Sequence, residues 1–231
     1  MVTFIGDVHG WSDRLEKVVL QAEGPLVFMG DLIDRGPDAP GVLRRVYELC
    51  QQGRATCLMG NHEYAMLRAI GVPAQGLAAD PAYFLAWANH FGGAAVLEAY
   101  RTDCPDGLRE RLGSLATWLA ELPWVLEGDV GPRHWVAVHA GLEGVTPLQV
   151  QLEALRSGWR APDPTPLPLF AKDRQFTVPP DLPAHWTIVS GHTPMLTPFI
   201  SQQRVLCDTS GGARHRRLSG VIWPEGRTVT S

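Results

Sequence analysis

Five times in this chain a short apolar run breaks off at a small polar tip: GDVHG at Gly6 to Gly10, GDLIDRGP at Gly30 to Pro37, GNHE at Gly60 to Glu63, HAGL at His139 to Leu142, and GHTP at Gly191 to Pro194. An apolar run ending this way reads as a buried strand passing into a loop, the place where α/β sheets present reactive groups. One such tip is weak evidence, because Gly-Asp and Gly-Asn are common turn dipeptides. Five in one chain are not explained by turns alone. Together they supply Asp7, His9, Asp31, Asn61, His139 and His192, a nitrogen and oxygen donor set for two divalent metal ions.

The intervening sequence supports an α/β reading. Val2 to Ile5 is a first strand, followed by a helix with Leu15, Val18, Val19 and Ala22 on one face; Asp13 and Glu16 have the spacing of a capping box. Leu26 to Met29 is a second strand. Asp38 then caps a helix through Val42, Leu43, Val46 and Leu49 that ends at Gly53, before a third strand over Ala55 to Met59. This β-α-β-α-β pattern places the first three tips on one shared edge of one sheet. Residues from about 64 to 123 read as a helical insertion walling one side of the site, with Trp87, Phe91 and Trp118 in its core. Strand character resumes at Trp135 to Val138 and at Thr187 to Ser190. Between them, seven prolines from Pro162 to Pro183 predict a long loop. Val205 to Cys207 and Leu218 to Trp223 read as an antiparallel pair turning near Gly211 and Gly212.

At 231 residues the chain is expected to form one domain over 1–231. A net charge of -4 gives no general attraction for nucleic acid or anionic membrane, so any phosphate site has to be local and metal-built. No apolar run reaches the roughly 18 residues of a membrane span. Cys50, Cys57, Cys104 and Cys207 show no paired spacing and read as free thiols. With the first tip at Gly6 leaving no room for a signal peptide, these features predict a cytoplasmic protein.

The donor types suit Mn, Fe or Zn better than Mg or Ca, and the absence of thiolates argues against a structural zinc site. Two ions about 3.5 to 4 Å apart would polarise a phosphoryl group and hold a bridging hydroxide for in-line attack. Asp31, with two usable oxygens, is the expected shared ligand. Three residues remain: His62 is placed to protonate a leaving oxygen, Asp34 to orient its imidazole, and Arg35 to grip phosphate oxygens. For Asp34 and Arg35 the alternative is a surface ion pair beside the Gly36-Pro37 turn.

These stretches resemble the calcineurin-like metallophosphoesterases, specifically the phosphoprotein phosphatase branch with its small bacterial and phage members. The resemblance runs from Val2 to about Val221 and includes FLAWANHFGGAAVLEAY at Phe84 to Tyr100 and DTSGGARHRRLSGV at Asp208 to Val221. It implies a four-layer α/β/β/α sandwich, two divalent metals (often Mn) and attack without a phosphoenzyme. Carried over by position, the first metal takes Asp7, His9 and Asp31, and the second takes Asp31, Asn61, His139 and His192. His62 with Asp34 matches the acid dyad, and Arg35 a phosphate clamp. A further phosphate-binding arginine precedes the last tip in the family; among Arg156, Arg160, Lys172 and Arg174, the segment around Leu169 to Phe176 points to Arg174.

Pro194 stands where phosphodiesterases and nucleases of the superfamily carry a second histidine, which sets those activities aside. Symmetrical dinucleoside tetraphosphatases commonly carry Ala in place of Asp34, Asp in place of Glu63 and Trp in place of Thr193. The expectation is therefore a phosphatase of phosphoserine and phosphothreonine in proteins, with dinucleoside tetraphosphate (Ap4A) hydrolysis as the alternative and a non-catalytic metal-binding scaffold as a third reading. The partners implied are a phosphoprotein or nucleotide substrate, with no membrane and no stable nucleic-acid binding. His90, His134, His185 and His215 match no ligand position and are expected on the surface or in structural roles.

Overall fold

The computed structural model describes residues 1–160, 167–171 and 174–231. Two five-stranded mixed sheets lie face to face. In the first, β1 (Val2–Ile5), β2 (Leu26–Phe28) and β3 (Ala55–Cys57) run parallel, and β9 (Ser219–Trp223) and β10 (Arg227–Thr230) extend it antiparallel from the β1 edge. The second has the order β4 (Val125–Val130), β5 (Arg133–Val138), β6 (Trp186–Ser190), β8 (Arg204–Leu206) and β7 (Phe199–Ile200), with β5, β6 and β8 parallel.

Because both faces of the first sheet's inner strands are covered, β1, β2 and β9 are buried along their whole length rather than alternately, whereas β3 and β10 at the edges expose Thr56 and Arg227. Val2 and Phe4 point inward and form one cluster with Val27, Met29, Trp135, Ala137, Val189 and Val205 of both sheets. Ile5, Leu26 and Phe28 face outward onto α1 (Ser12–Gln21) and α2 (Ala39–Gln51), which bury Leu15, Val18, Val42, Leu43 and Val46. Val136, Val138 and Ile188 leave the inner layer on the other side and join the apolar stripe of α8 (Leu148–Ser157). Helix, sheet, sheet, helix is the four-layer arrangement expected.

The insertion is helical as read: α3 (Asn61–Ile70), α4 (Pro81–Ala86), α5 (Ala94–Tyr100), α6 (Pro105–Leu112) and α7 (Ser114–Ala120). Three readings change. Val205 to Cys207 and Leu218 to Trp223 do not pair; β8 belongs to the second sheet and β9 to the first, because each completes a different apolar face. The first three tips lie on one edge of the first sheet, as read, and the last two come from the second sheet. β4 is a strand that the half-exposed sequence around Gly128 and Asp129 did not announce. No capping box forms at Asp13 either: Trp11 occupies the N-cap, and Glu16 instead accepts from Arg45 Nε of α2 at 2.7 Å. The proline-rich stretch holds a short helix, α9 (Leu167–Phe170), while 161–166 and 172–173, Lys172 included, lie outside the described residues. Among the described residues no helix is long and apolar enough to cross a membrane.

Candidate metal centre

Each tip follows a strand: β1 leads into Asp7 and His9, β2 into Asp31, β3 into Asn61, β5 into His139 and β6 into His192. The tips meet because the strands carrying them approach closely at glycines. A Cβ on Gly30, whose φ is +91°, would meet Gly60 N at 2.6 Å, and one on Gly60 would meet Asp31 N and Oδ1 at 2.3 Å. Among the described residues, six other than glycine have positive φ, and five of them are His9, Asp31, Asp34, Arg35 and His192. Backbone strain is thus concentrated where the candidate ligands lie, as at many functional sites.

Asp31 is central. Its Oδ2 lies 3.7 Å from Nε2 of both His9 and His62, and its Oδ1 lies 3.4 Å from His139 Nε2. Potential ligand atoms of His9, Asp31 and His62 fall within one sphere of contact, and those of Asp31, His139 and His192 within a second. Asn61 joins the second group, its Oδ1 at 2.9 Å from His139 Nε2 and 2.8 Å from His192 Nδ1. Asp7 sits beside Asp31 with both oxygens accepting the His192 amide at 3.0 Å.

The donor set fits divalent metal. His9 Nδ1 donates to Ile33 O at 2.8 Å and His139 Nδ1 to Met29 O at 2.6 Å, so each ring presents its Nε2 on the Asp31 side, the atom a metal would take in exchange for any proton there. His139 Nε2, Asn61 Oδ1 and His192 Nδ1 crowd within 3.2 Å of one another, more acceptors than one proton can serve. Burial, then the neighbouring His62, holds His9 well below its ordinary pKa. Burial, then the charges of Asp208 and Asp31, pushes Asp7 well above the carboxylate range. Fully buried acids repelling one another beside aimed lone pairs are the environment a cation relieves.

The remaining expected residues are placed as follows. His62, the second residue of α3, donates from Nδ1 to Asp34 Oδ2 at 2.6 Å, and Trp87 Nε1 donates to the same oxygen at 3.0 Å. Arg35 spans the centre, with Nη1 2.9 Å from His9 Nε2 and Nη2 3.0 Å from His62 Nε2. Asp34 and Arg35 are thus not a surface pair. Arg174 is not brought to this group: its Nη1 lies 2.8 Å from Glu143 Oε1, and its backbone packs on Gly141. Arg156 pairs with Glu127.

Sequence reading missed several contributors. Glu63 accepts the amides of Asp31, Leu32, Ile33 and Gly60, a role signalled only by its place three residues after the helix N-cap. Arg204 is a fully buried guanidinium with no carboxylate partner among the described residues; burial lowers it to about 9. It donates to Ile188 O and Val205 O from Nη1, and to Ala140 O and Ser190 Oγ from Nη2, tying together the ends of the strands that carry His139 and His192. Above the centre opens a cavity of about 320 Å³ walled by Arg35, His62, His90, Phe91, Phe170 and Pro194. His90, expected on the surface or in a structural role, and Phe91, expected in the core of the insertion and packed against it, also line the cavity from the π-helical turn Trp87–Phe91.

A sequence profile of the calcineurin-like phosphoesterases matches residues 1–220. The chain belongs to this family. A symmetrical bis(5'-nucleosyl)-tetraphosphatase of Ralstonia nicotianae is 33% identical over 147 residues, 57% of this chain and 50% of that one, so the match spans half of the relative's length. Among solved structures, one provisionally described as a diadenosine tetraphosphatase aligns with TM-score 0.60 at 20% identity, covering 100% of this chain and 92% of the other. A protein serine/threonine phosphatase from Saccharomyces cerevisiae aligns with TM-score 0.57 at 14% identity, covering 100% and 78%. At these identities the two structures establish the fold.

Proposed function

We propose that the protein is a phosphoesterase dependent on two divalent metal ions, and that its substrates are dinucleoside polyphosphates cleaved symmetrically. The observation that carries the hydrolytic reading is the convergence of two buried donor groups on Asp31, with the His62 and Asp34 pair at their side. The substrate reading is carried by the curated relatives, several of which bear the name symmetrical bis(5'-nucleosyl)-tetraphosphatase. It replaces phosphoprotein as the leading substrate, since Asp34, Glu63 and Thr193 weigh less as markers than identity extending over half the chain.

In this reading Asp7, His9 and Asp31 hold one ion, and Asp31, Asn61, His139 and His192 the other; manganese is the ion proposed. When bound, such ions supply Lewis acidity toward phosphoryl oxygens and acidify water. Asp34 accepts the hydrogen bond from His62 Nδ1 and favours the doubly protonated ring, from which Nε2 would pass its proton to the departing oxygen while Nδ1 keeps its own. Arg35, with its two terminal nitrogens already turned toward His9 and His62, clamps nonbridging oxygens between them. Phe91 and Phe170 give the cavity an apolar wall.

The test compares kcat/KM of manganese-loaded protein on diadenosine tetraphosphate and on a phosphothreonine peptide. A strong preference for the dinucleotide, with ADP as the only nucleotide product, is expected. A preference for the peptide would return the protein to the phosphoprotein phosphatases.

A further inference from the structure

The chain is acidic overall, yet its closing crossover places three arginines within four residues: Arg214, Arg216 and Arg217, with His215 among them. Arg214, His215 and Arg217 are exposed and Arg216 is half-buried. Among the described residues, no carboxylate pairs with any of the three guanidinium groups.

This run begins at the rim of the metal centre. Gly211 O accepts Arg35 Nη1 at 2.7 Å. Gly212 lies so close that a Cβ there would meet Arg35 Cδ at 2.5 Å and the His9 ring at 2.9 Å, and a Cβ on Gly211 would press on Pro194, a wall of the cavity. The loop is also braced from beneath. Trp11 Nε1 donates to Gly212 O at 3.0 Å, Arg14 Nη1 to Ala213 O at 3.0 Å, and Arg14 Nη2 to Arg214 O at 2.6 Å. Arg14 is held in turn over the Trp11 ring, 3.9 Å from its centroid. Four directed contacts thus fix the backbone of a loop whose charged side chains make none. From there Arg216 and Arg217 line a cleft of about 310 Å³ with Leu196, Pro198, Thr209 and Thr228.

We infer that this loop binds the phosphate chain of a dinucleoside polyphosphate beyond the phosphorus under attack, with Arg214, Arg216 and Arg217 as its contacts. The inference rests on the proposed substrate class and deepens it. Guanidinium forks match phosphate oxygens, and unpaired ones concentrated at the rim offset the repulsion an acidic protein exerts on a polyanion. A substrate with a single phosphate has nothing to place there.

The test replaces Arg214, Arg216 and Arg217 together by Ala and measures turnover with saturating manganese. For diadenosine tetraphosphate, KM rises about tenfold with kcat little changed, and its dependence on salt weakens, as removal of three exposed charges predicts. With p-nitrophenyl phosphate, kcat/KM shifts less than twofold; a triple Lys variant recovers part of the lost affinity. Parallel losses on both substrates, or none on either, would overturn the inference. So would a larger loss on an acidic phosphothreonine peptide than on the dinucleotide, which would make the run a peptide reader. If the parent protein fails to cleave the dinucleotide, the proposed substrate falls, and the loop is judged by inhibition of p-nitrophenyl phosphate turnover. Inhibition by the dinucleotide that weakens in the Ala variant keeps the inference; absent or unaltered inhibition removes it.

Discussion

Glu63 holds Asp31 from behind: Oε2 accepts the Asp31 amide at 2.8 Å, while Oε1 accepts Leu32 at 2.8 Å and Ile33 at 3.3 Å. Asp31 has φ +53°, a conformation that a non-glycine residue keeps only when its surroundings impose it. One carboxylate on α3 therefore sets the backbone of the residue shared by both donor groups.

Glu63→Gln turns one of those acceptors into a donor facing backbone N–H groups. Unfolding in urea should show a loss of about 1–3 kcal/mol, the usual cost of buried groups left unpaired. Calorimetric titration should show manganese bound at least about tenfold more weakly. Unaltered manganese affinity would mean that Asp31 keeps its place without this support.

His62→Asn removes the atom assigned to proton transfer while leaving in place the six residues assigned to the two ions, Asp7, His9, Asp31, Asn61, His139 and His192. The expected fall in kcat is about 10²–10⁴-fold, with metal content per chain unchanged. The loss should be greater for phenyl phosphate, whose leaving oxygen needs protonation, than for p-nitrophenyl phosphate, whose leaving oxygen does not. Equal losses on the two esters would count against an acid role.

Arg204→Met leaves carbonyls at the ends of β5, β6 and β8 without their common donor. A destabilisation of about 1–3 kcal/mol is expected, together with selective weakening of the second of two manganese binding events. Lys at this position should restore little, since an ammonium cannot bridge the acceptors that the planar fork reaches. Should both binding events stay unchanged, Arg204 would be a packing residue alone.

The thiols should separate by burial. Cys104 is exposed and should alkylate first in native protein, whereas Cys57 and Cys207 are buried and should react only on unfolding. Burial pushes the Cys50 thiol up to about 11, so at pH 8 its thiolate is scarce and it should lag behind Cys104. Mass spectrometry of partly alkylated protein reads the order directly. Early modification of Cys57 or Cys207 would contradict the packing.

The strands and their tips were legible because burial on two faces writes an uninterrupted apolar run and the tip ends it abruptly. Their division between sheets was not, since Val205 and Val221 are equally apolar and only tertiary pairing sends β8 to β6 and β9 to β1. Arg204 was invisible for the opposite reason: an isolated arginine in a short strand reads as exposed, and its acceptors are carbonyls that every sequence possesses. Phe91 packs on the core as read, but that it and His90 also line the cavity was not legible, because residue spacing does not announce a single π-helical turn.

The two-sheet origin of the centre also orders events during synthesis. Asp7, His9, Asp31 and Asn61 leave the ribosome early, but His192, which touches Asn61, follows it by 131 positions. At cellular translation rates that interval is on the order of ten seconds. Throughout it the first sheet lacks β9 and β10, and its acidic tips face no histidines from the second. The early half of the chain thus waits with an open β1 edge and mutually repelling carboxylates, and the centre can assemble only as a late event of folding.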